Sequence, residues 1–77
     1  MTYTDPDFEE ILLALSLKNP ILAIKIEEFC DLIEANPLIG ELAIKRRRNF
    51  ITEDIIISYN YHPKGEVEFV SFRILPT

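Results

Sequence analysis

The spacing of apolar positions changes character halfway along the chain. In residues 6–35 they recur at intervals of three and four, as in Phe8, Ile11, Leu12 and Leu15 and then Leu22, Ile26, Phe29, Cys30 and Ile33. That period places each set on one side of a helix. Asp5-Pro6 and Asn19-Pro20 supply matching starts, an Asx side chain to accept backbone N–H groups and a proline where no helical bond is lost. The first helix is predicted from Pro6 to about Leu17, with Asp7, Glu9 and Glu10 at the positive end of its dipole. The second is predicted to about Ala35, since Asn36 before Pro37 disfavours helical torsions. So short a link between them demands an antiparallel hairpin.

After Gly40 the helical period is lost. ELAIKRRRNFI (41–51) reads as a strand with mixed faces, TED (52–54) as a turn, and IIISYNY (55–61) and GEVEFVSFRIL (65–75) as two further strands. His62-Pro63-Lys64-Gly65 fits a type I turn closed by a left-handed glycine. The register of that turn sets Tyr61 opposite Val67, Tyr59 opposite Phe69 and Ile57 opposite Ser71. One face then carries Ile55, Ile57, Tyr59, Tyr61, Val67 and Phe69, with Arg73 at its far end. A loop one residue longer exchanges the faces of the last strand and of Arg73 with it. Helices precede strands without alternation, so the predicted class is α+β: a helical hairpin packed on a three-stranded antiparallel sheet, in the order α-α-β-β-β.

Size makes this one domain, residues 1–77, with 48% hydrophobic residues and no tryptophan. A core this small leaves a few kcal/mol of net stability, which favours a partner or a homodimer. One cysteine and one histidine predict neither an internal disulfide nor a metal site, and no cofactor is expected. The chain lacks the roughly 18 consecutive apolar residues of a membrane span, and MTYTDPDFEE is acidic, unlike a signal peptide. The expected setting is cytoplasmic, without membrane contact.

The net charge of −5 conceals a division. Residues 1–44 carry nine carboxylates and two lysines, net −7, whereas residues 45–77 carry six cations and four carboxylates, net +2. Lys45, Arg46, Arg47 and Arg48 hold half of all the positive charge. An asymmetry of this kind predicts two surfaces with different partners. On a single strand at most two of the four can share a face; they then form either a phosphate- or acid-binding patch or an edge kept unpaired by charge.

The order of these pieces carries a resemblance. A helix pair, Asn36-Pro37-x-x-Gly40, a basic strand, a tyrosine closing the middle strand (Tyr59) and a final apolar strand together resemble the RelE/ParE superfamily of bacterial toxins, over residues 6–75. The resemblance implies a helical hairpin on a curved antiparallel sheet and an antitoxin that wraps it. It also implies a strand before the first helix, for which only Met1 to Thr4 are free, so that strand is missing or very short here. For the messenger-cleaving branch it implies basic residues near Arg47 and Arg48 or Asn49, with Arg73 as an early stand-in for a later arginine. Ile56 stands where those members carry an arginine, and no terminal tyrosine or histidine completes the set.

RNA cleavage through its own 2′-OH needs a base, a cation on the phosphate and a proton donor. With His62 expected in a turn away from the basic strand, that set is incomplete, and whether the chain is an enzyme stays open. The expected function is a toxin-like component acting on a macromolecular target, gyrase or ribosome, through Lys45, Arg46, Arg47, Arg48 and Arg73, and neutralised by a cognate antitoxin. The alternatives are a ribosome-dependent mRNA endoribonuclease and a non-toxic interaction domain that self-associates.

Overall fold

The computed structural model describes residues 2–76. Over that span the elements run β1 (Thr2–Thr4), α1 (Pro6–Lys18), α2 (Pro20–Ala35), β2 (Glu41–Ile44), β3 (Arg47–Ile51), β4 (Ile55–Tyr61) and β5 (Val67–Ile74). The protein is α+β, with a helical hairpin ahead of a five-stranded sheet ordered β1-β5-β4-β3-β2. The sheet is mixed, because β1 lies parallel to β5 while the remaining pairs are antiparallel.

Both helices start as their prolines require. Asp5 accepts from the Asp7 amide at 2.9 Å, and Asn19 accepts from the Leu22 amide at 3.2 Å. Asn19 also ends α1, its own amide bonding to the Leu15 carbonyl at 2.7 Å. One residue therefore closes one helix and opens the next, which is why the hairpin needs no loop.

The pair lies over one face of the sheet and buries Phe8, Ala23, Ile26, Cys30 and Ile33 against Ile55, Ile57, Tyr59, Val67 and Phe69. Phe8 anchors α1, stacking on Phe69 at 5.7 Å between ring centroids and meeting Phe72 edge-on at 5.2 Å. The stripe of α1 is narrower than its spacing predicts. Ile11 and Leu17 point to solvent, Leu17 being 82% exposed, because α1 packs mainly on α2 and β5 and each covers a narrow arc.

Three expectations about the sheet are corrected. The segment 41–51 is not one strand but a hairpin, β2 and β3, turning at Lys45-Arg46. Nothing in that turn is a usual turn residue. Lys45 takes the left-handed backbone itself, at φ 53°, a region that costs a side-chain-bearing residue about 1 kcal/mol or more. The sheet is not three-stranded and antiparallel but five-stranded and mixed, since the strand before α1, expected to be missing or very short, is present at three residues as a parallel edge on β5.

In the β4–β5 pair the predicted partners Tyr61–Val67 and Tyr59–Phe69 are found, but Ser58 pairs with Ser71 and Ile57 with Phe72. Val70 is thus left over as a β-bulge, which reverses the facing of everything beyond it. Phe72 and Ile74 join the face of Ile57 and Ile55, and Arg73, opposite Ile56, turns to the face away from the helices. The 62–65 turn has the expected form: the Gly65 amide bonds to the His62 carbonyl at 2.9 Å, and Gly65 is left-handed at φ 88°.

Cys30 sits in the core, 9% exposed. Burial first, and then the carboxylates of Glu34, Asp31 and Glu27, push its thiol up to about 12. We predict that alkylation by iodoacetamide at pH 8 is on the order of a hundredfold slower in the folded protein than in urea, since the thiolate is the reactive form. The same shift makes the neutral thiol a stabilising feature that is fully present below pH 9 and lost as the pH rises from there towards about 12. Equal alkylation rates in the two states would exclude a buried thiol.

Candidate functional site

The helices leave the other face of the sheet open. Strand pairing arranges its side chains in three cross-strand rows. The first holds Arg47, Asn60, Glu68 and Tyr3; the second Asn49, Ser58 and Ser71; the third Ile51, Ile56 and Arg73. Rows two residues apart along a strand are separated by about 7 Å.

The first row is tied together. Arg47 Nε donates to Asn60 Oδ1 at 2.8 Å, and Asn60 Nδ2 donates to Glu68 Oε1 at 3.1 Å. Those two bonds fix the amide of Asn60, its oxygen toward the cation and its nitrogen toward the carboxylate. In the second row Ser58 Oγ donates to Asn49 Oδ1 at 2.7 Å.

The two hairpin turns meet at the end of the first row. The Tyr61 amide bonds to the Arg46 carbonyl at 2.9 Å, and Arg46 NH1 lies 3.2 Å from His62 Nδ1. A guanidinium only donates, so Nδ1 is the acceptor and the ring proton sits on Nε2. That nitrogen faces Glu68 Oε1 at 3.9 Å. A shallow depression here is lined by Ile44, Lys45, Arg46, Arg47, Asn60 and His62. The expectation that His62 is remote from the basic segment is therefore corrected. Pairing of the turns, invisible while 41–51 counts as a single strand, brings it into contact with Arg46.

The basic run does not act as a block. Lys45 and Arg46 occupy the turn, and Arg47 lies on the open face. Arg48 pairs with Tyr59 on the helical side and donates from NH1 to the Gly40 carbonyl at 2.8 Å. Arg73 shares the open face but lies two strands across and two rows along from Arg47, about 16 Å by sheet spacing. The structure thus gathers three of the five predicted residues, Lys45, Arg46 and Arg47, and adds His62, Asn60 and Glu68.

Arg48 belongs to a different unit. The buried Tyr59 hydroxyl donates to the Pro37 carbonyl at 2.7 Å and accepts from the Gly40 amide at 2.9 Å. Burial raises the pKa of that hydroxyl, opposed by the Gly40 amide and the Arg48 charge. The Pro-x-x-Gly turn, Tyr59 and Arg48 are one hydrogen-bonded knot that fixes where β2 starts.

Among the described residues no three His, Cys, Asp or Glu side chains converge to hold a metal ion, and no helix is long and apolar enough to cross a membrane. The chain thus falls in the class of two-layer α+β proteins in which one sheet face lies under a helical hairpin and the other is open, polar and cationic at one end. Searches of family models, curated proteins and solved structures find nothing that matches it.

Proposed function

We propose that the protein binds a macromolecular target through the open sheet face, as the toxin-like component of a RelE/ParE-type toxin–antitoxin module. The observation that carries this reading is the clustering of Lys45, Arg46 and Arg47 with His62 and Asn60 where two hairpin turns meet. The three cations are on a surface that no helix covers. Two further features support the kinship. A strand precedes α1, and the Pro37-x-x-Gly40 and Tyr59 marks of the resemblance are physically one knot. Expression in a bacterial host tests the reading. Growth arrest relieved by a co-expressed antitoxin supports it, and unimpeded growth at high expression rejects it.

A second reading, cleavage of messenger RNA on the ribosome, gains from His62. Its imidazole lies between a guanidinium that could hold a phosphate and the Glu68 carboxylate, an arrangement suited to proton transfer. Message left intact by excess protein and ribosomes rejects this reading. Cleavage that disappears in His62→Ala supports it.

A further inference from the structure

The histidine where the two turns meet is wired between opposite charges. His62 Nδ1 accepts from Arg46 NH1 at 3.2 Å, and Nε2 faces Glu68 Oε1 at 3.9 Å. The same Glu68 oxygen accepts from Asn60 Nδ2 at 3.1 Å, and Asn60 Oδ1 accepts from Arg47 Nε at 2.8 Å. Two turns and three strands thus contribute to one chain of side chains that begins and ends on a guanidinium.

Backbone bonds hold the ring's position. The His62 amide bonds to the Glu66 carbonyl and the Tyr61 amide to the Arg46 carbonyl, both at 2.9 Å. A change of charge on the ring therefore moves side chains and not turns. Around it the charged groups are Lys45 and Arg46 from the β2–β3 turn, Arg47 from β3 and Glu68 from β5, with Lys64 and Glu66 in its own loop. No helix residue lines the depression. Lysine, arginine and carboxylate side chains ordinarily keep their charge between about pH 5 and 8, whereas an imidazole does not.

A neutral ring can accept at Nδ1, but a protonated ring only donates. Gaining a proton abolishes the Arg46 bond and leaves two cations facing each other across it. The charged Nε2–H then finds its counter-ion in Glu68. Arg46 is exposed in its turn, so nothing detains the guanidinium once the ring stops accepting.

We propose that His62 is a proton-controlled latch on the cationic end of the open face. Neutral, it holds Arg46 back. Protonated, it releases the guanidinium toward an anionic target and adds its own charge to Lys45, Arg46 and Arg47. The inference rests on the open face being the binding surface and gives that surface its regulation by pH.

The chain holds one histidine, so its ring signals are unambiguous in an NMR titration of the free protein. As the ring protonates, the Arg46 Nε–Hε group should lose order with the same midpoint, while that of Arg47, bonded to Asn60, stays ordered. The binding probe is sucrose octasulfate, whose own charge is constant over this range. Its affinity for the full chain should rise about fivefold from pH 8 to pH 5.5, the worth of one unit charge at about 4 Å in water. In His62→Gln, neutral throughout, the rise should disappear.

An Arg46 side chain equally ordered at both pH values would overturn the latch. So would a pH-independent affinity, a rise that survives in His62→Gln, or no saturable binding of the probe at either pH. None of these measurements needs a cellular target, so absence of growth arrest would reject the toxin reading and leave the latch standing.

Discussion

Replacing Tyr59 by phenylalanine should lower folding stability by about 2–4 kcal/mol, although the substitution removes a single oxygen. That oxygen is the donor to the Pro37 carbonyl and the acceptor from the Gly40 amide, at 2.7 and 2.9 Å, on a side chain with no exposed surface. A buried backbone group left without a partner costs about 1–3 kcal/mol, and this change orphans the buried Gly40 amide and the half-buried Pro37 carbonyl. For a chain of this length total stability is about 4–11 kcal/mol, so the loss is a large share of it. Urea denaturation measures it, with an unchanged slope showing that the native and unfolded states keep their surface difference. A loss below about 0.5 kcal/mol would mean that the knot contributes nothing beyond an ordinary exposed contact.

Gly40 is the partner in this test. Its need for glycine is spatial rather than torsional. A Cβ there would lie 2.6 Å from the Tyr59 hydroxyl and 2.9 and 3.0 Å from two ring carbons. The ring is enclosed and cannot retreat, so Gly40→Ala should cost about 1–3 kcal/mol by overpacking. In the double variant the worst contact is gone and the lost amide bond is counted once. The combined loss should therefore fall short of the sum by about 1 kcal/mol. Strict additivity would show that Tyr59 and Gly40 do not touch.

This knot also shows how far the chain can be read before it is folded. The helices were legible because they depend on local chemistry: two Asx-Pro caps and an apolar period survive any tertiary arrangement. The hairpin of β4 and β5 was legible near its turn, where Pro63 and Gly65 dictate the geometry, and Tyr59 could be placed opposite Phe69. Beyond that it was not. The bulge at Val70 has no signature in FVSFRIL (69–75), and it alone decides that Arg73 faces away from the helices.

The β2–β3 turn was hidden for a similar reason. IKRR contains no glycine, asparagine or proline, and a lysine accepts the left-handed torsion because strand pairing on both sides holds it there. Reading 41–51 as one strand removed the turn that carries Arg46 to His62. The charges were visible in the sequence, but their sorting by face depends on register, which an unmarked turn and a one-residue bulge each reset.

The same sorting makes the four cations of the basic run separable by experiment. Arg46→Ala/Arg47→Ala should abolish growth arrest or target binding while costing about 1 kcal/mol of stability, since Arg46 lies in the turn and Arg47 on the open face, where only its bond to Asn60 is lost. Arg48→Ala should do the reverse. It removes a charged donor from the Gly40 carbonyl, costing about 1–2 kcal/mol once partial exposure is allowed for, and leaves the face of the folded molecule intact. Arg73→Ala, two rows away, should weaken binding less than the Arg46/Arg47 pair.

Should the target be nucleic acid, the paired alanine variant should also flatten the dependence of log affinity on log salt by about 1.4–1.8, the share of two phosphate contacts. Arg48→Ala should leave that slope as it was. Growth assays, thermal or urea unfolding and a salt titration of binding thus read three quantities that a uniformly basic strand would move together. Loss of activity in Arg48→Ala without loss of stability, beside a fully active Arg46/Arg47 variant, would place the binding surface on the helical side and remove the open face from the mechanism.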